Sequence, residues 1–154
     1  MDKYNPSRLN GLQPGKYAEY FVKMEFTLYG FQVYTAEVDD RGIDFVARHD
    51  NGLFFEVQVK SIFKTSYIFF TKDKFILPES LLAAIVVFVQ EQSPILYLVP
   101  STVWKEPNPV FSCRDYEGKK SKPEWGFSLT QKYNALIQPY EFDKSIASEY
   151  NTVD

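Results

Sequence analysis

One short segment constrains the fold of this chain more than any other. In Phe55-Glu-Val-Gln-Val-Lys60, apolar and polar residues alternate strictly. This period of two is that of a β-strand, so Glu56, Gln58 and Lys60 share one face. Because unpaired charges are costly to bury, a carboxylate and an ammonium on a covered strand face need each other, a metal ion or a ligand.

The residues before this segment predict two further strands. Residues 31–38 alternate and are rich in β-formers, and residues 43–48 carry Asp44 among apolar neighbours, two positions after Gly42. Asn51-Gly52 is typical of a tight hairpin turn. We therefore expect residues 31–38, 43–48 and 53–61 to form an antiparallel meander.

A helix is predicted ahead of the meander, from Lys16 to Tyr29, with Pro14-Gly15 before it and Gly30 at its end. Its apolar stripe comprises Ala18, Val22, Phe26 and Tyr29. Glu19 lies at the edge of this stripe and Glu25 nearer its middle. Helical geometry alone does not choose between these two acids as the one that points to the core margin.

The rest of the chain completes a single α/β domain. Residues 83–89 and 95–99 read as a buried strand pair, residues 66–71 as a short strand, and residues 127–129 as an edge strand. We predict a flexible arm at 1–13, a core at 14–104 and a peripheral C-terminal extension at 105–154. The expected fold is a central mixed β-sheet, an antiparallel meander plus buried strands, flanked by helices.

Composition excludes several classes of site. The chain of 154 residues has one cysteine and one histidine, which argues against a disulfide framework, structural zinc and Cys-His or Ser-His catalysis. The apolar run 81–89 is too short to span a membrane, so a cytoplasmic location without membrane contact is expected. The net charge of -3 gives no global footprint for nucleic acid, so any such surface must be local.

Three short motifs resemble the PD-(D/E)xK, or restriction endonuclease-like, nuclease superfamily. They are Gly15-x-x-Ala18-Glu19 on the helix, Gly42-x-Asp44, and Gln58-x-Lys60. They are similar to the QxK variant of the resolvase-like and Mrr-like branches, over residues 15–61, with looser agreement out to residue 104. The resemblance implies a restriction-endonuclease-like core.

The activity that this resemblance implies is Mg²⁺-dependent hydrolysis of nucleic acid, as a DNA endonuclease, with Mn²⁺ as a possible substitute. It implies a catalytic group of Asp44, Gln58, Lys60 and Glu19, with Lys60 near the attacking water. The metal ligands would be Asp44, Glu19, Glu56 and Gln58. A second copy of the chain, in a homodimer, would serve cleavage of both strands of a duplex.

The residue at Gln58 leaves a second interpretation open. Its amide oxygen is a hard ligand of the kind that Mg²⁺ takes, but it brings no charge. Glu56, about 6 to 7 Å along the same strand face, could restore a carboxylate. The alternative function is a catalytically inactive restriction-endonuclease-like module that binds nucleic acid or a protein partner. Taken alone, the polar face of this strand also fits an ordinary solvated surface.

Local basic residues are the candidate contacts to nucleic acid: Lys64, Lys72, Lys74 and Arg41. Each also fits an ordinary solvated surface, and the neighbouring Asp39 and Asp40 give Arg41 its own partners. The lysines between Asp115 and Pro123 fit a flexible loop. Trp104 and Trp125 are predicted to anchor the packing of the C-terminal part.

Overall fold

The computed structural model describes residues 3–37 and 42–150, without the last two side chains of that range. Its helices are α1 (Gln13–Leu28), α2 (Asn134–Ile137) and α3 (Phe142–Tyr150). Its strands are β1 (Gln32–Thr35), β2 (Phe45–Arg48), β3 (Phe54–Ile62), β4 (Tyr67–Thr71), β5 (Leu81–Val87), β6 (Ile95–Pro100), β7 (Phe111–Arg114) and β8 (Glu124–Ser128). No helix in this part of the chain has the length and hydrophobicity that crossing a membrane requires.

The strands form two sheets. The larger has the order β1-β2-β3-β5-β6, in which β3 and β5 are parallel and the other neighbours antiparallel. This confirms the predicted meander and the mixed sheet. The smaller sheet, β4-β8-β7, is antiparallel throughout. The prediction of an edge strand near residue 127 is wrong, because β8 pairs with β4 on one side and β7 on the other.

The large sheet buries both of its faces. One face packs against α1 through Ala18, Val22 and Phe26, and the other packs against the small sheet. All seven residues of β5 are buried, because this strand lies between the two layers. On β3, Phe55 and Val57 belong to the α1 side, while Ile62 belongs to the small-sheet side. The alternating polar residues of β3 therefore face the small sheet.

The C-terminal part of the chain contributes to both hydrophobic clusters. Phe111, Phe127 and Ile137 pack between the sheets, and Phe142 and Ile146 pack beside α1. Both predicted packing anchors are confirmed. Trp104 is fully buried and donates from Nε1 to the Gly126 carbonyl at 2.8 Å, and Trp125 donates to the Phe75 carbonyl at 3.1 Å. The division at residue 104 stays a prediction about folding units.

Gly126 allows a close approach on the outer face of the small sheet. The hydroxyl of Tyr67 donates to the buried carboxylate of Glu124, and its ring lies directly over Gly126. Burial, and then this hydrogen bond, raise the pKa of Tyr67 to about 12. A Cβ on residue 126 would lie 2.7 Å from Tyr67 Cε2 and closer still to the hydroxyls of Tyr67 and Ser112.

We expect Gly126→Ala to lower the free energy of unfolding by about 1 to 3 kcal/mol, the usual cost of overpacking a filled position. Gly15→Ala is the matched control, because its added methyl meets nothing within 4 Å and sits in α1, where alanine is the better helix former. Urea denaturation of both variants measures the difference. Equal stability of the two would contradict the packing described above.

Candidate active site

Two hydrogen bonds hold Asp44 against the backbone of β3. Its amide donates to the Val57 carbonyl at 2.9 Å, and the Val59 amide donates to its carboxylate Oδ2 at 2.7 Å. The paired register of β2 with β3 begins at Phe45 and Val57, so Asp44 lies just before it. Because Val57 and Val59 are the residues on either side of Gln58, these two bonds place Asp44 beside the backbone of Gln58.

The side chain of Gln58 packs against the backbone of Gly42. A Cβ on residue 42 would lie 3.6 Å from Gln58 Oε1 and 3.5 Å from Nε2, and the backbone there has φ of +78°. Both facts favour glycine at this position. Gln58 Oε1 is buried, and no described residue gives it a hydrogen bond. A buried amide oxygen of this kind needs a partner from outside, such as water, a ligand or a metal ion.

Lys60 and Glu56 continue the same face of β3. Both are half-buried, as is Gln58, so the face is not a freely solvated one. The Lys60 ammonium lies 5.8 Å from the centre of the Phe70 ring on β4. Glu56 pairs with Val46 on β2, on the side of Gln58 away from Lys60. The structure thus places Glu56, Gln58 and Lys60 in one row between the two sheets.

Glu19 approaches from the opposite face of the large sheet, on α1. Its carboxylate binds Lys23 at 2.8 Å and Lys16 at 3.6 Å. The ammonium of Lys23 lies 5.9 Å from the centre of the Phe45 ring, so this ion pair borders the start of β2. The structure places Glu19 near the residue that follows Asp44, with its charge already compensated by lysine.

Glu25, the other acid of the helix, lies in a different environment. It lines a cleft with Leu96 and Asp143, away from the start of β2. Burial, and then the negative charge of Asp143, raise the pKa of Glu25 above its ordinary value. Both acids are half-buried at the margin of the core, Glu19 on the side of Phe45 and Glu25 on the side of Asp143.

The predicted metal ligands do not form a preformed cluster of carboxylates. Among the described residues, no three His, Cys, Asp or Glu side chains gather closely enough to hold a metal ion. The Asp44 carboxylate is held at the Val59 amide, and the Gln58 amide oxygen is buried beside Gly42.

Among the predicted nucleic-acid contacts that the structure describes, Lys74 lies against the site. Its Cβ is 3.3 Å from where a Cβ of Gly42 would lie, and its side chain is exposed. Lys64 lies in the turn after β3 with φ of +57°, its ammonium 5.0 Å from the centre of the Phe63 ring. Arg41 lies outside the described residues.

Lys72 is already engaged. Its ammonium binds Asp115 at 2.5 Å and Cys113 Sγ at 2.9 Å, and lies 4.0 Å from the centre of the Trp125 ring. Burial acts to lower the pKa of Lys72, but the hydrogen bonds to Asp115 and Cys113 outweigh it and raise that pKa. The sequence gives no signal for this cluster, because Lys72 and Asp115 are 43 positions apart.

The fold of the chain is similar to that of a solved structure, the bacterial homing endonuclease I-Ssp6803I, with a TM-score of 0.50, 18% sequence identity, and coverage of 90% of this chain and 92% of that one. At this identity the similarity shows the fold and not the chemistry. No protein-family model matches the sequence, and no curated protein matches it.

Proposed function

We propose that this chain is a metal-dependent endonuclease that hydrolyses phosphodiester bonds in DNA. The observation that carries the proposal is the buried, unpartnered Oε1 of Gln58 beside Gly42, with Asp44 hydrogen-bonded to the backbone on either side of Gln58. The similarity of the fold to the endonuclease named above supports the same reaction. This similarity and the buried amide oxygen are two separate observations.

The residues at the site fit a hard divalent cation, Mg²⁺ or Mn²⁺. Asp44 and Gln58 would hold it through oxygen, and Glu56 is the nearest further carboxylate on the same strand face. Glu19 would join only by giving up its contact with Lys23. Such an ion supplies a water of lowered pKa and stabilises negative charge on the phosphate.

The chain's own residues supply position and charge. The Val59 amide holds the Asp44 carboxylate in one orientation before any substrate arrives. Lys60, half-buried beside the Phe70 ring, presents a positive charge where water screens it less than at the surface. It would offset the charge that develops on the phosphate in the transition state.

The test of this proposal is cleavage of DNA by the full chain with Mg²⁺, comparing wild type with Lys60→Ala. We expect Lys60→Ala to slow cleavage by about a hundredfold or more, the usual cost of removing a charged group that stabilises the transition state. Lys132→Ala is the matched control, since Lys132 is exposed on the short 3-10 helix Gln131–Tyr133, outside the site. Equal cutting by all three proteins, or cutting in excess EDTA, would contradict the proposal.

A second function is favoured by the charges around Glu19. Its carboxylate is paired with two lysines, and Gln58 is neutral, so the site has fewer free acidic ligands than its motifs imply. These observations fit a module that retains the fold and binds nucleic acid or a protein without cutting. The absence of any divalent-metal binding in calorimetry would favour this second function over the first.

A further inference from the structure

A charged surface adjoins the candidate site. It consists of the turn 72–74 after β4 and the loop 115–123 between β7 and β8, and we call it the basic ridge. Three contacts join its two parts. Lys72 binds Asp115, Lys122 binds Asp73 at 3.4 Å, and the Lys72 amide donates to the Pro123 carbonyl at 3.0 Å. The loop is therefore fastened to the turn that touches Gly42.

The ridge is positive in a chain that is negative as a whole. Together with Arg114 at its base, it contains six Lys or Arg against three Asp or Glu, whereas the whole chain has 17 against 20. Hydrogen bonds from Thr71 and Lys122 lower the pKa of Asp73, and the hydrogen bond from Lys72 lowers that of Asp115. The negative charges of Asp73 and Asp115 are therefore compensated by the lysines that these two residues bind.

The remaining lysines of the ridge project into solvent. Lys74, Lys119 and Lys120 are exposed, and none of the ion pairs among described residues includes them. The Lys119 amide donates to the Tyr116 carbonyl at 2.9 Å, with Gly118 at φ of +72°, so the tip is a closed turn. Lys119 and Lys120 are thus presented at the end of a defined hairpin.

The base of the hairpin adds an aromatic surface. Phe69, 45% exposed, stacks with Tyr67 at 6.4 Å between ring centres, and the Arg114 guanidinium lies 4.5 Å from the centre of the Tyr67 ring. These residues lie on the outer face of the small sheet, beside β7 and β8. Basic and aromatic side chains on one surface are the usual means of contacting phosphates and base edges.

We infer that the β7–β8 hairpin lies in the major groove of double-stranded DNA and that Lys119 and Lys120 contact its phosphates. The sugar-phosphate backbone of the DNA then passes Lys74 and reaches Gln58. This deepens and rests on the proposed function. A B-form major groove, about 12 Å wide, admits a two-stranded ribbon. The deep, narrow major groove of A-form RNA does not, so the same hairpin selects DNA over duplex RNA.

The test measures binding of the full chain to a 30-base-pair DNA duplex by fluorescence anisotropy, with Ca²⁺ in place of Mg²⁺. The ridge variant is Lys119→Glu with Lys120→Glu. The control is Lys105→Glu with Lys132→Glu, which changes the net charge equally at exposed residues outside the ridge. We expect the ridge variant to bind at least tenfold more weakly than the control. The slope of log K against log salt should fall by about 1.8, the value for two lost phosphate contacts.

Two further arms test the substrate class. Duplex RNA and single-stranded DNA of the same sequence should bind wild type at least tenfold more weakly than duplex DNA, and equal binding of either would overturn the assignment. Equal affinity of the ridge and control variants for DNA would overturn the inference about the hairpin but leave the proposal of DNA cleavage standing. Ridge-dependent binding without any cleavage would instead overturn the nuclease proposal. A wild-type chain that binds no DNA would overturn both.

Discussion

Asp44→Asn should leave the protein folded and reduce cleavage of DNA by at least about a hundredfold. The carboxylate of Asp44 has two roles that this substitution separates. Its Oδ2 accepts a hydrogen bond from the Val59 amide at 2.7 Å, and an asparagine oxygen can accept the same bond. The negative charge that attracts a divalent ion is lost, and the effect of that loss should be of the order found for electrostatic groups in active sites.

Asp44→Ala should behave differently, because it also leaves the Val59 amide without its acceptor. We expect an additional loss of about 1 to 3 kcal/mol in the free energy of unfolding, the cost of an unpaired buried donor. Calorimetry with Mn²⁺ and Mg²⁺, beside thermal unfolding, measures both effects. Asp50→Asn, at an exposed turn, is the control. Unchanged metal binding in both Asp44 variants would mean that Asp44 is not a ligand.

Trp104→Ala should have the largest effect on stability, lowering the free energy of unfolding by about 3 to 5 kcal/mol. Trp104 is fully buried between the sheets and packs edge-on against Phe70, Phe75 and Phe111. Its removal creates a cavity and leaves the Gly126 carbonyl without its donor. Since domains of this size are stable by only about 5 to 15 kcal/mol, much of the total would be lost.

Urea denaturation of the wild type tests the predicted boundary at residue 104 between the core and the C-terminal extension. If residues 105–154 form part of one folding unit, as their place in both hydrophobic clusters indicates, wild type should unfold in a single transition by every probe. Two separate transitions would instead support a core that stands alone. Trp125→Ala is the control for Trp104→Ala. Because Trp125 is only half-buried, its substitution should lower the free energy of unfolding less.

The parts of the fold that sequence reasoning predicted correctly are those set by neighbours along the chain. Period-two alternation and the turn at Asn51-Gly52 are sufficient for β2 and β3, because hairpin strands pair with what precedes them. The small sheet is different. Pro123 precedes β8 and Gly126 lies within it, so the alternation of apolar and polar residues that indicates a strand is weak there. Its central position depends on partners as distant as Tyr67, which only the tertiary structure brings near.

The candidate site divides in the same way. The period of two predicts that Glu56, Gln58 and Lys60 share one face of β3, and all three are half-buried there. The Glu19–Lys23 ion pair was equally predictable, because residues four apart are neighbours on the surface of a helix. The role of the loop 115–123 was not predictable, because Lys122 reaches Asp73 across 49 positions.

The pairing of β4 with β8 has a consequence for when the site can exist during synthesis. β4 supplies Phe70 beside Lys60, yet its own strand partner lies far downstream, with Tyr67 and Glu124 57 positions apart. A nascent chain that has released only α1 to β6 can form the meander and the parallel pair, but not the layer that covers Lys60. The covered face of β3 that carries Glu56, Gln58 and Lys60 is therefore completed only after β8 leaves the ribosome, and an unfinished chain lacks its cover.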